Sequence, residues 1–141
     1  MTIKNYLITQ ACDYHHLFEF LNINFDSKKI IFLKGNLGSG KTFLVKELLK
    51  YLYNFNNTSS PTFGIINSYL VEDKTIYHYD LYRINNSSEL DEIGFYNNLE
   101  INTLHFIEWP EIIPRKIIKS NIDIYLDVIN EQRLISVDID D

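Results

Sequence analysis

The run GNLGSGKT, residues 35–42, constrains this chain more than any other stretch of its 141 residues. It matches G-x-x-x-x-G-K-[ST] in full, through Gly35, Asn36, Leu37, Gly38, Ser39, Gly40, Lys41 and Thr42. Glycines let a backbone turn its N–H groups inward as a nest for phosphate oxygens. A helix starting near Lys41 aims its positive end at the same phosphates. Lys41 reaches the terminal phosphates, the Thr42 hydroxyl suits Mg²⁺, and the backbone N–H of Phe43 adds a further donor. Such a cradle needs a buried strand before it and an amphipathic helix after it. KKIIFLKG supplies the first, and KTFLVKELLKYLY, with Phe43, Leu44, Leu48 and Leu52 at helical spacing, supplies the second. Context therefore favours a nucleotide site over an ordinary glycine-rich turn.

The rest of the chain reads as one α/β domain over 1–141, with no internal repeat, low-complexity tract or linker. A first strand near 2–8 leads into a helix near 10–22, with Thr9 as its N-cap. The Asn/Ser-rich NFNNTSSP ends the cradle helix in a loop. FGIINSYLV and TIYHYDLYRI flank the turn EDK as a β-hairpin, and NIDIYLDVI and RLISVDID flank NEQ as another. Ser88 followed by Asp91 offers a capping box for a helix over 88–99. TLHFIEW reads as a further buried strand. Hairpins force antiparallel pairs, so the expected architecture is a three-layer fold of the P-loop NTPase type with a mixed sheet.

Charge and composition exclude some partners. A hydrophobic share of 45% with 14% aromatics marks a folded protein, and the net charge of −6 leaves no concentrated basic face. The densest basic cluster, RKIIK at 115–119, reads as a solvated face. Tight nucleic-acid binding by this chain alone is not expected. No apolar run is long enough to span a membrane, and MTIKNYLITQ lacks a signal-peptide pattern, so a cytoplasmic location is expected. The lone Cys12 reads as a small buried apolar residue.

A phosphate cradle does not define a reaction, so the remaining polar residues must discriminate. A GTPase needs N-K-x-D or T-K-x-D, and neither occurs. DEIG at 91–94 spells D-x-x-G but falls inside the expected helix, with Asp91 as a capping residue and Glu92 solvated. A small-molecule kinase gathers arginines from a lid, whereas this chain has only Arg83, Arg115 and Arg133, far apart. In YHYDLYR the alternation puts His78, Asp80 and Tyr82 on one face and Tyr77, Tyr79 and Leu81 on the other. A carboxylate at Asp80, beside a P-loop, can orient an attacking water or pair with a nearby cation. His78 reads as a hydrogen-bonded core or interface residue, since no second histidine has ligand spacing. Glu108, closing the strand of HFIEWP, stands where a Walker B acid stands. Trp109 divides between packing over the sheet end and a place beside the nucleotide or a docking partner.

Taken in order, GNLGSGKTF, SPTFGIINSY, YHYDLYRI, ELDEIGF and FIEWPE resemble the bacterial TsaE (YjeE) family, from the cradle to residue 111. The resemblance implies a weak, partner-stimulated Mg²⁺-dependent ATPase that supports threonylcarbamoyladenosine formation on tRNA. Its partners would be TsaD, which carries the transferase chemistry, and TsaB, a scaffold, with tRNA met only through them. It implies that Glu108 contacts Mg²⁺ together with Thr42, that Asp80 acts in hydrolysis with Lys41, and that SPTF (60–63) is a nucleotide-sensing switch. There the Thr62 hydroxyl would meet the γ-phosphate or the metal's water shell. It also implies an adenine near Thr9 and Arg133. Asn36 departs from the family's usual Asp, and Phe43 from a small polar residue. A kinase and a nucleotide-dependent binding module without turnover are the alternatives.

Overall fold

A computed structural model describes residues 2–23, 27–56, 64–114 and 116–140. Seven strands form one sheet in the order β1-β7-β6-β2-β5-β4-β3. The strands are β1 (Thr2–Ile8), β2 (Lys29–Lys34), β3 (Ile66–Val71), β4 (Lys74–Asp80), β5 (Leu104–Glu108), β6 (Ile122–Ile129) and β7 (Gln132–Ile139). β2 runs parallel to both β5 and β6, and β4 runs parallel to β5. The β1–β7, β3–β4 and β6–β7 pairs are antiparallel. The mixed sheet expected from the hairpins is the one observed.

Both hairpins close more tightly than EDK and NEQ imply. Val71 pairs with Lys74 and Ile129 with Gln132, which leaves two-residue turns at Glu72–Asp73 and Asn130–Glu131. All four turn residues have φ between 49° and 69°, the left-handed pair that matches strand twist in a type I′ turn.

Two helices, α1 (Tyr14–Leu21) and α2 (Lys41–Tyr53), cover one face of the sheet. α2 buries Leu44, Val45, Leu48 and Leu49 completely against Ile31, Leu33, Phe106 and Ile124. Each such side chain contributes about 1.5–3 kcal/mol of transfer free energy. On the opposite face the short helices α3 (Glu89–Glu92) and α4 (Phe95–Leu99) bury Leu90, Phe95 and Leu99 beside Tyr79 and Ile107. The second face of β1, β7 and β6 is less covered, and Ile3, Leu7 and Tyr125 are exposed on it.

Five local expectations are corrected. The first helix opens with a 3₁₀ turn, Ala11–Asp13, before α1. Thr9 does not cap it. Instead the Thr9 N–H and hydroxyl and the Gln10 N–H all donate to the Asp13 carboxylate, at 2.9–3.0 Å. The expected helix over 88–99 is two helices, because Gly94, at φ 76°, reverses the chain so that Leu90 and Phe95 both reach the core. Ser88 makes no side-chain cap, and Asp91 is not its capping partner: Ser88 already lies in the helical region, and its N–H donates to Asn86 Oδ1 at 3.1 Å. Cys12 is exposed rather than buried, since its turn buries no residue. Among the described residues no helix is long and apolar enough to cross a membrane. Part of RKIIK, Arg115, lies outside the described residues.

Below α4 lies a buried polar pair that the function does not require. His105 Nε2 donates to the Ile101 carbonyl and Nδ1 accepts from the Tyr79 hydroxyl, both at 2.9 Å. Burial pushes the His105 imidazole below its ordinary value, against the pull of the Ile101 carbonyl. A histidine whose folded value is depressed adds stability that is complete above the unfolded value and is lost as pH falls. Urea unfolding should therefore show stability declining as pH drops below about 6.5. His105→Leu, which leaves the buried Tyr79 hydroxyl without this partner, should cost about 1–3 kcal/mol at neutral pH and flatten that decline.

Candidate functional site

Three strand ends build the site. In the registers of β2 with β5 and of β4 with β5, Leu33 lies beside Glu108 and Glu108 beside Asp80. Alternation turns Glu108 and Asp80 to the face that α2 covers, as it does Phe106 and His78 one step back. The chain leaves β2 at Lys34, passes through the cradle and enters α2 at Lys41, so α2 starts directly above the two carboxylates. The Leu81 N–H donates to the Glu108 carbonyl at 3.1 Å and ties the ends of β4 and β5 together.

The cradle requires glycine at two points. Gly40 caps α2 at φ 104°, and a Cβ there would sit 2.6 Å from Arg133 Nε. At Gly35 a Cβ would meet the Leu126 carbonyl oxygen at 2.6 Å, backbone that cannot give way. Arg133, on β7, donates through Nε to the Ser39 carbonyl at 3.0 Å and so braces the loop from the far hairpin. The Ser39 hydroxyl is buried behind the loop and has no hydrogen-bond partner among the described residues.

The cleft measures about 290 Å³ and is lined by Leu37, Gly38, Gly40, Lys41, Thr42 and Phe43 on the loop side. Asp80, Glu108 and Trp109 line the strand side. Lys41 donates to the carbonyls of Gly35 (2.6 Å) and Asn36 (3.0 Å), and its ammonium lies 4.3 Å from the centre of the Trp109 ring. Trp109 is the aromatic face on which the cradle lysine rests. Tyr82 packs beside it at 5.0 Å between ring centres. The Thr42 hydroxyl donates to Glu108 Oε2 at 2.8 Å, and His78 Nε2 bonds the same oxygen at 2.5 Å.

Burial governs the electrostatics. It pushes the Lys41 ammonium below its ordinary value, against the charges of Glu108, Asp80 and Glu111. It pushes the Asp80 carboxyl up, opposed by a hydrogen bond from the Tyr82 N–H and reinforced by the Glu108 charge. Among the described residues no three His, Cys, Asp or Glu side chains form a metal cage. Mg²⁺ does not need one, since it takes one or two protein oxygens and draws the rest from phosphate and water. Thr42 and Glu108, oxygen donors already in contact beside the nest, fit that donor set.

The sequence-based candidates converge unevenly. Lys41, Thr42, Asp80 and Glu108 share the cleft with the loop residues, whereas Asn36 and Ser39 shape the loop from behind. Thr9 follows directly on β1, whose last residue, Ile8, pairs with Arg133. This puts both at one end of the sheet, with Arg133 against Gly40. Thr62 and the rest of SPTF lie outside the described residues. The contact of His78 with Glu108 and the rest of Lys41 on Trp109 were not foreseen. A same-face pairing of 78 with the strand ending at 108 would have pointed to the first, had the strand order been known.

Residues 8–135 match the family model described as "Threonylcarbamoyl adenosine biosynthesis protein TsaE". A protein of Rickettsia felis named as tRNA threonylcarbamoyladenosine biosynthesis protein TsaE is 42% identical over 110 residues, covering 77% of this chain and 64% of that protein. Namesakes from Rickettsia typhi and Haemophilus influenzae are 39% and 34% identical, over 81% and 78% of this chain and 80% and 72% of theirs. The chain thus spans just under two thirds of the Rickettsia felis relative and more of the other two. In fold it resembles the crystal structure of YdiB from Bacillus subtilis, with a TM-score of 0.67 at 19% identity over 96% of this chain and 84% of that one.

The Arg133 brace can be separated from stacking on a base. Arg133→Ala should weaken binding of inorganic tripolyphosphate and of ATP alike, by about five- to tenfold, because the loss falls on the cradle. Calorimetric titration checks this, and a loss confined to ATP would assign Arg133 to the base instead.

Proposed function

This chain belongs to the TsaE family, and from that premise we propose that it is an ATP-binding and ATP-hydrolysing accessory protein for threonylcarbamoyladenosine modification of tRNA. One observation carries the reading: the Thr42 hydroxyl and the Glu108 carboxylate meet at 2.8 Å at the mouth of the cradle, with Lys41 and Asp80 in the same cleft. That is the set of groups phosphoanhydride hydrolysis needs.

In the proposed cycle the phosphates of ATP enter the nest, and the α2 N-terminus and Lys41 bind them. Lys41 exchanges the Gly35 and Asn36 carbonyls for phosphate oxygens, whose negative charge favours its cationic form and offsets the effect of burial. Thr42 and Glu108 would hold Mg²⁺, which neutralises charge on the β- and γ-phosphate oxygens when bound. Asp80 orients a water at the γ-phosphorus and accepts its proton as the bond to the β-phosphate oxygen breaks, giving ADP and phosphate. Its carboxyl is already biased upward by burial, which suits it to hold a proton. Thr62 would sense the γ-phosphate and Thr9 would flank the adenine, while Arg133 would brace the cradle through the Ser39 carbonyl.

The partners in this reading are TsaD and TsaB, with ATP favouring docking and hydrolysis resetting the complex in the cytoplasm. A net charge of −6 supports leaving the grip on tRNA to those partners. A kinase is not favoured, because Arg133 is engaged on the loop and no arginine lines the cleft among the described residues.

ATP turnover by the purified chain should be slow alone and stimulated by TsaD and TsaB together. Lys41→Ala and Glu108→Ala should lower the stimulated rate by about 10²-fold or more, and Asp80→Asn should do so while keeping ATP affinity. Transfer of the γ-phosphate to a small acceptor, or ATP-sensitive docking with no turnover, would refute the reading.

A further inference from the structure

His78 is the one imidazole in contact with the site among the described residues, and the cycle above gives it no task. It is 1% exposed, Glu108 is 3% exposed, and the two are joined from Nε2 to Oε2 at 2.5 Å. The pairing of His78 with Phe106 and of Asp80 with Glu108 makes this contact a diagonal across β4 and β5 on one face. A carboxylate only accepts, so Nε2 carries the hydrogen. Nδ1 is then an acceptor, and the Tyr69 hydroxyl on β3 lies 3.3 Å from it. Tyr69 is 5% exposed, so the arrangement Tyr69–His78–Glu108 is buried and selects one tautomer. An imidazole whose Nε2 is protonated toward a carboxylate offers no lone pair there for a metal.

We propose that His78 is the positioning residue of Glu108, with Tyr69 fixing its tautomer, and that this sets the affinity of the site for Mg²⁺. The proposal rests on the reading of Glu108 and Thr42 as the metal-holding pair. Glu108 Oε2 accepts from two donors, His78 Nε2 and Thr42 Oγ1. Once the Thr42 hydroxyl turns to the ion, His78 is the donor that keeps Oε2 in place and leaves the other oxygen toward the cleft. Without it a buried glutamate with three side-chain torsions loses its direction and a compensating hydrogen bond. Partners of this kind behind a metal carboxylate are typically worth 10–100-fold in metal affinity. His78 is not among the residues that line the cleft, so binding of nucleotide without metal should not depend on it.

The test is a fluorescence titration with N-methylanthraniloyl-ATP, in EDTA and across a MgCl₂ series. His78→Ala should raise the MgCl₂ concentration for half-maximal tightening by about tenfold or more, with affinity in EDTA within about twofold of wild type. His78→Gln, whose amide reaches the place of Nε2, should recover most of the shift. Tyr69→Phe keeps the imidazole and decides the matter if His78→Ala does not fold; it should raise the half-point about fivefold, the worth of one hydrogen bond. An unmoved half-point in His78→Ala, an equal loss in EDTA and MgCl₂, or an unmoved half-point in Tyr69→Phe would overturn the proposal. Wild type that binds no tighter with MgCl₂ than in EDTA would instead remove the metal reading on which it rests.

Discussion

The parallel pairing of β5 with β2 and β4 is the constraint on which the rest of the site depends. It aligns Leu33, Glu108 and Asp80 in one row, immediately before the chain leaves β2 for the cradle. A slip of one residue would turn Glu108 to the opposite face, among Tyr79, Ile107 and Phe95, where a carboxylate would be buried without these partners. Register is held from both faces. Phe106 and Leu33 pack under α2 on one side, and Ile107 packs over α3 and α4 on the other. Core packing and site geometry are the same requirement here.

Within that frame the charges are arranged in mutual compensation rather than as isolated pairs. Burial works against the ionised form of both Lys41 and Asp80, and the two attract each other across the cleft. Lys41 spreads its ammonium over two carbonyls and an indole, while Glu108 accepts from a hydroxyl and an imidazole. Each bond satisfies a buried polar group while no phosphate is bound, and Lys41 and Thr42 can exchange theirs for oxygens of a ligand.

What was legible in the sequence was local or periodic. The cradle is a contiguous motif, and α2 begins at Lys41 and ends at Tyr53, as its spacing and the Asn-rich segment after it imply. Both hairpins followed from alternating runs around turn residues, and Glu108 from an apolar run ended by an acid. The failures were of a different kind. Ser88 and Asp91 match a capping pattern, but Gly94 permits a reversal whose benefit, burying Leu90 and Phe95 together, is tertiary. Thr9 has the right side chain for a cap, yet its hydroxyl donates to the Asp13 carboxylate, a charged acceptor that also takes the Thr9 and Gln10 N–H groups. The bond of His78 to Glu108 crosses 30 residues and depends on β4 lying beside β5, an order no local pattern encodes.

Trp109 joins these levels. It sits at φ 58° and ψ 53°, a left-handed conformation that a bulky residue adopts at a cost of about 1–3 kcal/mol. Pro110, at the first position of the following 3₁₀ turn, cannot adopt that φ, so the reversal of the chain falls on Trp109. The reversal lays the indole over Lys41 and against Tyr82, which is half exposed. The contact that holds Trp109 over the sheet end is made with the cradle lysine, so the places of the indole and of the ammonium are set together.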